Sequence, residues 1–171
     1  LVLIFSFQSL TKADEISDFQ IEGMSVGDSL LELMTEKEIL DKTDQFYKSN
    51  KYAQLICLSN GLIYDYVQCA YKPDDPNKLI YDVTGVIQFD NKIEECLLKM
   101  KDIEIEITNF FKNTKKIDYG TYNHAADKTG KSKATVVAFE FDSGDNVVLY
   151  CTNWSEEITK KNYWLDELKI S

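Results

Sequence analysis

An α+β fold, with antiparallel sheet and helices packed on one face, is what this 171-residue sequence predicts. Three observations carry that expectation. One long segment, 91–113, places apolar residues at helical spacing. Runs rich in β-branched and aromatic residues fall into two sets on either side of it. Each set holds a turn signal, Asn60-Gly61 in the first and Ser143-Gly-Asp-Asn146 in the second. Helices segregated to one side of antiparallel strands are the natural layering for such runs, and two tandem α-β-β-β units would satisfy the order.

Taken from the start, Leu1–Phe7 is an apolar run followed by the polar stretch Gln8–Ala13 and then Asp14-Glu15. An h-region of a signal peptide has about 7–15 apolar residues and small residues before the cut. Thr11 and Ala13 fit positions −3 and −1 of a cut before Asp14. Residues 1–13 are therefore expected to be a signal-peptide remnant and 14–171 a single exported domain, periplasmic or extracellular. The run is too short to span a bilayer core of about 30 Å. No cysteine follows it, so the mature form is expected to carry no lipid or membrane anchor.

Phe19–Met24 reads as a short strand. Ser29-x-x-Glu32 and Thr35-x-x-Glu38 are two capping-box spacings, which predict two short helices or one kinked helix over 28–44. Leu30, Leu31, Leu33, Met34, Ile39 and Leu40 would form the buried faces. Tyr52–Ser59 and Leu62–Tyr71 are expected to be strands joined at Asn60-Gly61. Lys72–Asn77 is a loop and Leu79–Phe89 a third strand. In the long helix, Ile93, Cys96, Met100, Ile103, Ile107 and Phe110 form one stripe. Ile103–Ile107 also alternates with period two, leaving a strand as the competitor there. Lys116–Ala125, Ala134–Asp142, Val147–Trp154 and Tyr163–Ile170 complete the second set.

Ile21-Glu-Gly-Met-Ser-Val-Gly-Asp-Ser-Leu30, followed by a helix and three strands, resembles the tandem α-β-β modules of small outer-membrane assembly lipoproteins and the β-lactamase-inhibitor-protein fold. The chain departs from that pattern in lacking the lipid-anchor cysteine and the Gly-x-Pro that ends the first helix pair. The resemblance implies a protein-binding module rather than an enzyme, and it carries over no site residue.

The charge balance narrows the partners. All 19 basic residues are lysines, set against 29 carboxylates, for a net charge of −10. Removing residues 1–13 takes it to about −11. Nucleic acid is disfavoured because phosphate binding needs clustered cations, and anionic membrane surfaces are disfavoured likewise. The expected partner is a protein or small molecule of unspecified kind.

No motif specifies a catalytic, cofactor or metal site. Asp127-Lys-Thr-Gly-Lys-Ser132 has the tail of a phosphate-binding loop but Ala125 where the first glycine is needed, and a strand follows it rather than a helix. His124 is the single histidine; a small hydrolase would need it beside Ser132 or Cys151. Without a second histidine or a C-x-x-C pair, zinc is disfavoured. Asp74-Asp75 and Asp142–Asn146 lack the spacing of a calcium loop. Asn153-Trp-Ser155 is a glycosylation sequon. Tyrosines such as Tyr64, Tyr66 and Tyr71 would make a binding face if exposed.

Four cysteines in an exported chain point to disulfides. A two-residue Asn60-Gly61 turn would set Cys57 opposite Tyr64 and Cys69 opposite Tyr52. That is over about 15 Å apart at 3.3 Å per residue, beyond the usual Cα separation of about 4.4–6.8 Å. Cys57–Cys69 is thus the disfavoured pair. Cys96, on the helix stripe, faces the sheet and is expected to bond Cys57 or Cys151; four buried thiols are the alternative. The function expected is an exported, soluble, non-catalytic binding module. The alternatives are an inhibitor of a secreted enzyme and a hydrolase using His124.

Overall fold

A computed structural model describes residues 16–46 and 51–171, and the signal-peptide expectation for 1–13 lies outside them. The fold is α+β, with every strand pair antiparallel. The chain divides into two compact units, mainly Ser17–Val86 and Ile87–Ile170.

The first unit opens with a tight turn where a strand was expected. Glu22 and Gly23 both take positive φ, and Ile21 and Met24 exchange backbone hydrogen bonds across them. Ser29 then caps a single 3₁₀ turn, Leu30–Glu32. Thr35 starts helix α1 (Glu36–Lys42) with a full capping box to Glu38. So the two caps do make two short helices. Their faces are narrower than expected: Leu30 and Ile39 are buried, whereas Leu31, Leu33 and Leu40 are exposed. One turn of 3₁₀ and two turns of α cannot turn every leucine inward.

Strands β1 (Thr43–Phe46), β2 (Ala53–Ser59), β3 (Tyr66–Tyr71) and β4 (Ile80–Gln88) follow. They pair in chain order, and α1 packs on β2. The hairpin β2–β3 differs from the sequence expectation. Only Asn60 of the Asn-Gly pair has positive φ, so no two-residue turn forms. Ser59 pairs with Tyr66 and a six-residue loop, 60–65, joins the strands. Glu22 Oε1 clamps that loop, accepting the N–H groups of Ile63 at 2.7 Å and Tyr64 at 3.2 Å.

That register overturns the cysteine assignment. Cys57 and Cys69 are disulfide-bonded, with Cα atoms 5.8 Å apart. Leu55 pairs with Cys69 and Leu58 with Val67, and the register shifts at Cys57 between them. Diagonal neighbours across a regular antiparallel pair stand about 7–8 Å apart. The bulge at Cys57 shortens that to bridging distance. The error lay in the turn, which moved every partner by three to four residues.

In the second unit, helix α2 (Ile93–Phe110) buries Cys96, Met100, Ile103 and Ile107, so the helical period prevails over the local alternation at 103–107. Strands β5 (Lys115–Asn123), β6 (Lys133–Glu140), β7 (Asn146–Asn153) and β8 (Glu167–Ile170) form a sheet ordered β8-β7-β6-β5. Helix α2 packs on β7 and β8. Cys96 bonds Cys151 of β7, one of the two partners expected for it, with Cα atoms 6.2 Å apart. Strand β8 begins at Glu167 rather than at Tyr163, and a short helix α3 (Glu156–Asn162) fills a stretch for which no element was expected. Its signals are present in the sequence: Ser155 as N-cap, Glu156-Glu157 in the first turn and Lys160-Lys161 in the last.

Candidate functional site: an aromatic face and its lysine-bordered corner

Alternation along the strands of the second unit separates two faces. Thr135, Cys151 and Leu168 lie in register on the side of α2, because Cys151 is bonded to it. The neighbouring rows therefore face the other way. One is Tyr122–Ala134–Thr152–Glu167, and the next is Gly120–Val136–Tyr150–Lys169. A bulge at Tyr119 with Gly120 at φ +67° bends β5 just before Tyr122. A left-handed glycine at such a bulge carries no Cβ penalty.

On this second face the rings form a continuous row. The His124 ring lies 5.9 Å from Tyr150 and 4.3 Å from Trp154, and Trp154 lies 4.6 Å from Trp164. Burial raises the Tyr150 phenol well above its usual range, and a hydrogen bond with Tyr122 adds to it. Burial lowers the His124 pKa, assisted by the nearby Lys169 and opposed by Glu167 and Asp127. His124 Nδ1 accepts the Ala126 N–H at 3.1 Å, which requires that nitrogen unprotonated. Trp154 is 8% exposed, and its Nε1 has no partner among the described residues.

The corner beside this row is built by the loop Asp127–Ser132, which has the tail of a phosphate-binding motif. Asp127 is its hub. Oδ1 accepts Thr129 N–H and Oγ1–H at 2.8 and 2.7 Å. Oδ2 accepts Ser132 N–H and Oγ–H at 2.9 and 2.7 Å, and Ser155 Oγ–H at 3.2 Å. These bonds, led by those from Ser132 and Thr129, hold the Asp127 carboxyl far below the usual carboxylate range. Five donors turned inward on a carboxylate leave no cradle for a phosphate. Ser155 in turn caps α3, so the loop and the helix start are one tied structure. Lys128, Lys131 and Lys133 on the loop and Lys160 and Lys161 on α3 are all exposed.

At the far end of α3, Tyr163 takes the left-handed conformation, φ 60° and ψ 27°. That position favours glycine, and an L residue there costs roughly 1–2 kcal/mol. Yet the Tyr163 side chain packs against almost nothing, at 87% exposure, and its neighbour Trp164 is 42% exposed.

The residues weighed for catalysis are placed differently. Ser132 is fully buried, with its hydroxyl donating to Asp127 and accepting the Ser155 N–H. The Cys151 sulfur is in its disulfide. Neither is presented to the His124 ring as a free nucleophile. Asp75 accepts Asn77 and Leu79 N–H groups and Asp145 accepts the Ser143 hydroxyl, so these carboxylates close turns. Among the described residues no three His, Cys, Asp or Glu side chains converge to hold a metal ion. Tyr64 and Tyr71, expected as binding residues if exposed, are 3% and 1% exposed and belong to the core. The residues that sequence reasoning passed over are Trp154, Tyr163 and Trp164. The run Lys160-Lys-Asn-Tyr-Trp164 was the signal for Tyr163 and Trp164, aromatics beside lysines; nothing local marked Trp154, which is buried.

No known family, curated protein or solved structure matches the chain.

Proposed function

We propose that this chain is an exported, non-catalytic binding module whose working surface is the aromatic corner of the second unit. The observation that carries it is Tyr163. A bulky residue sits in a conformation suited to glycine and buries almost nothing. The left-handed turn also ends α3, the Tyr163 N–H donating to Thr159 O; what calls for a use is the large exposed ring placed there. Trp164 beside it is half-covered by Trp154, which fixes its orientation before any ligand arrives, and preorganised aromatic anchors bind with little entropic loss. The row beneath gives the corner a rigid footing, and the Cys96–Cys151 bridge ties the strand that carries Tyr150 to α2.

Export is supported by the N-terminal apolar run and by two disulfides, which persist in oxidising compartments. No helix among the described residues is long and apolar enough to cross a membrane. The test immobilises the wild-type chain and a Tyr163→Ala/Trp164→Ala variant and probes both with a panel of glycans and secreted proteins. At least one ligand should be retained by the wild type and lost by the variant, with both folded at the temperature of the assay. Ligands retained equally by the two would move the working surface elsewhere.

A further inference from the structure

The corner is cationic in an otherwise acidic chain. Residues 124–133 and 155–164 hold five lysines and three carboxylates, and Asp166, Glu167 and Lys169 just beyond Trp164 bring the balance to six lysines and five carboxylates, whereas the whole chain holds 19 lysines and 29 carboxylates. The five carboxylates are all engaged: Asp166 Oδ1 accepts the Trp154 N–H at 2.9 Å, and Glu167 pairs with Lys169 at 3.0 Å. Asp127 is saturated by its own loop. Glu157 pairs with Lys131 at 3.4 Å, and Glu156 pairs with Lys160. Both ion pairs are solvent-exposed, so each contributes only about 0–1 kcal/mol and is readily exchanged for another anion.

Aromatic rings bordered by lysines narrow the ligand. Protein–protein contact centres are enriched in aromatics but depleted in lysine, so the border argues for an anion rather than for another protein. An anionic membrane surface would repel the acidic remainder of the chain, and two aromatic side chains offer little apolar area to insert. A pyranose ring, in contrast, presents an apolar C–H face that lies flat on an aromatic ring, while its substituents reach outward. On that basis, and resting on the binding role proposed above, we infer that the corner binds an acidic glycan. Its sugar faces lie on Trp164 and Tyr163, and its carboxylate or sulfate groups lie among Lys131, Lys160 and Lys161. The remaining lysines, Lys128 and Lys133, anchor the loop: Lys128 Nζ donates to Ala125 O, and Lys133 Nζ donates to Asn123 Oδ1 and Gly130 O.

Affinity electrophoresis through gels containing polygalacturonate, dextran sulfate or neutral dextran tests this, alongside co-sedimentation with phosphatidylglycerol vesicles. The wild type should be retarded by polygalacturonate and dextran sulfate, less so as salt rises through the range that screens exposed charges. It should pass dextran unretarded and leave the vesicles in the pellet without it. Trp164→Ala should weaken retardation at least tenfold. Because Trp164 also packs on Trp154, Tyr163→Ala is the second variant; it removes only exposed surface and should weaken retardation severalfold. Lys160→Gln/Lys161→Gln should weaken it and flatten its salt dependence. No retardation, retardation unchanged by Tyr163→Ala and Trp164→Ala, or sedimentation with vesicles would overturn the inference. If the corner variants still lose some other ligand from the wider panel, the binding role survives and only the glycan assignment falls.

Discussion

The two units solve the same problem, a four-stranded antiparallel sheet braced by one disulfide, in opposite ways. In the first, the bridge lies inside a hairpin, joining residues 12 apart at a bulge. Its functional-looking tyrosines are drawn inward: Tyr64 packs its ring over Gly85, where a Cβ would lie 2.5 Å away. In the second, the bridge joins helix to sheet across 55 residues. One sheet face is then committed to α2, and the other is left to the aromatic row. The local staple sits within one hairpin, whereas the long-range staple commits one sheet face to α2; Ala134, Val136 and Thr152 on the opposite rows are buried too, with Tyr122, Tyr163 and Trp164 the exposed rings near them.

The sharpest way to break that contrast is to remove each bridge. In the chain-entropy account, a cross-link stabilises more as the loop it closes lengthens. Cys96→Ala/Cys151→Ala should cost about 4 kcal/mol in denaturant unfolding and Cys57→Ala/Cys69→Ala about 3 kcal/mol. Equal losses would show that loop length does not distinguish the units. Gly85→Ala comes next. The new methyl meets the buried Tyr64 ring, and overpacking of this kind costs roughly 1–3 kcal/mol, read as a fall in the unfolding midpoint at unchanged slope.

Two aspartates sharpen the contrast through pH. In the second unit, Asp127 has its folded-state pKa depressed by the hydrogen bonds it accepts. Its contribution is present above the ordinary aspartate pKa of about 3.9 and is lost as pH falls below it. In the first, burial raises Asp82 above its ordinary value, partly offset by the Thr84 hydroxyl at 2.8 Å. Its ionised form opposes folding, and that penalty lifts as pH falls through the raised value. Asp127→Asn should therefore destabilise the chain at neutral pH and converge on the wild type in acid. Asp82→Asn should stabilise it at neutral pH and likewise converge. Chemical denaturation at several pH values reads both, and slopes of the same sign would remove the distinction.

The smallest expected effect is at the corner. Tyr163→Gly should stabilise the chain by about 1 kcal/mol by relieving the left-handed cost while removing a ring from the binding surface. A destabilised variant would mean that Tyr163 is held for packing and not for presentation.

How much of this could be read in advance differs by scale. Capping boxes, the stripe on α2 and most strands of both sets were legible, because each depends on residues within a turn or two of one another. The pairing of Cys96 with the sheet followed from the same stripe. The hairpin of β2 and β3 was not legible. Asn60-Gly61 has the local chemistry of a two-residue turn, but Glu22, some 40 positions away in sequence, accepts the N–H groups of Ile63 and Tyr64 and holds a longer loop instead. The candidate site was legible only in part. His124 and the Asp127–Ser132 loop could be singled out as residues, but their surroundings could not, because the partners Tyr150, Trp154, Ser155 and Trp164 arrive from later strands and from α3.

The sequence by itself thus determined the fold class, the two sets of strands, the helix that buries Cys96 and the acidic balance, all of which follow from period, propensity and charge. Tertiary structure alone decided the register that bonds Cys57 to Cys69, the burial of Tyr64 and Tyr71, and the assembly of the aromatic row. Those depend on which distant groups satisfy a loop's backbone or cover one face of a sheet. Free energies of that kind are set by the neighbours and not by the residue.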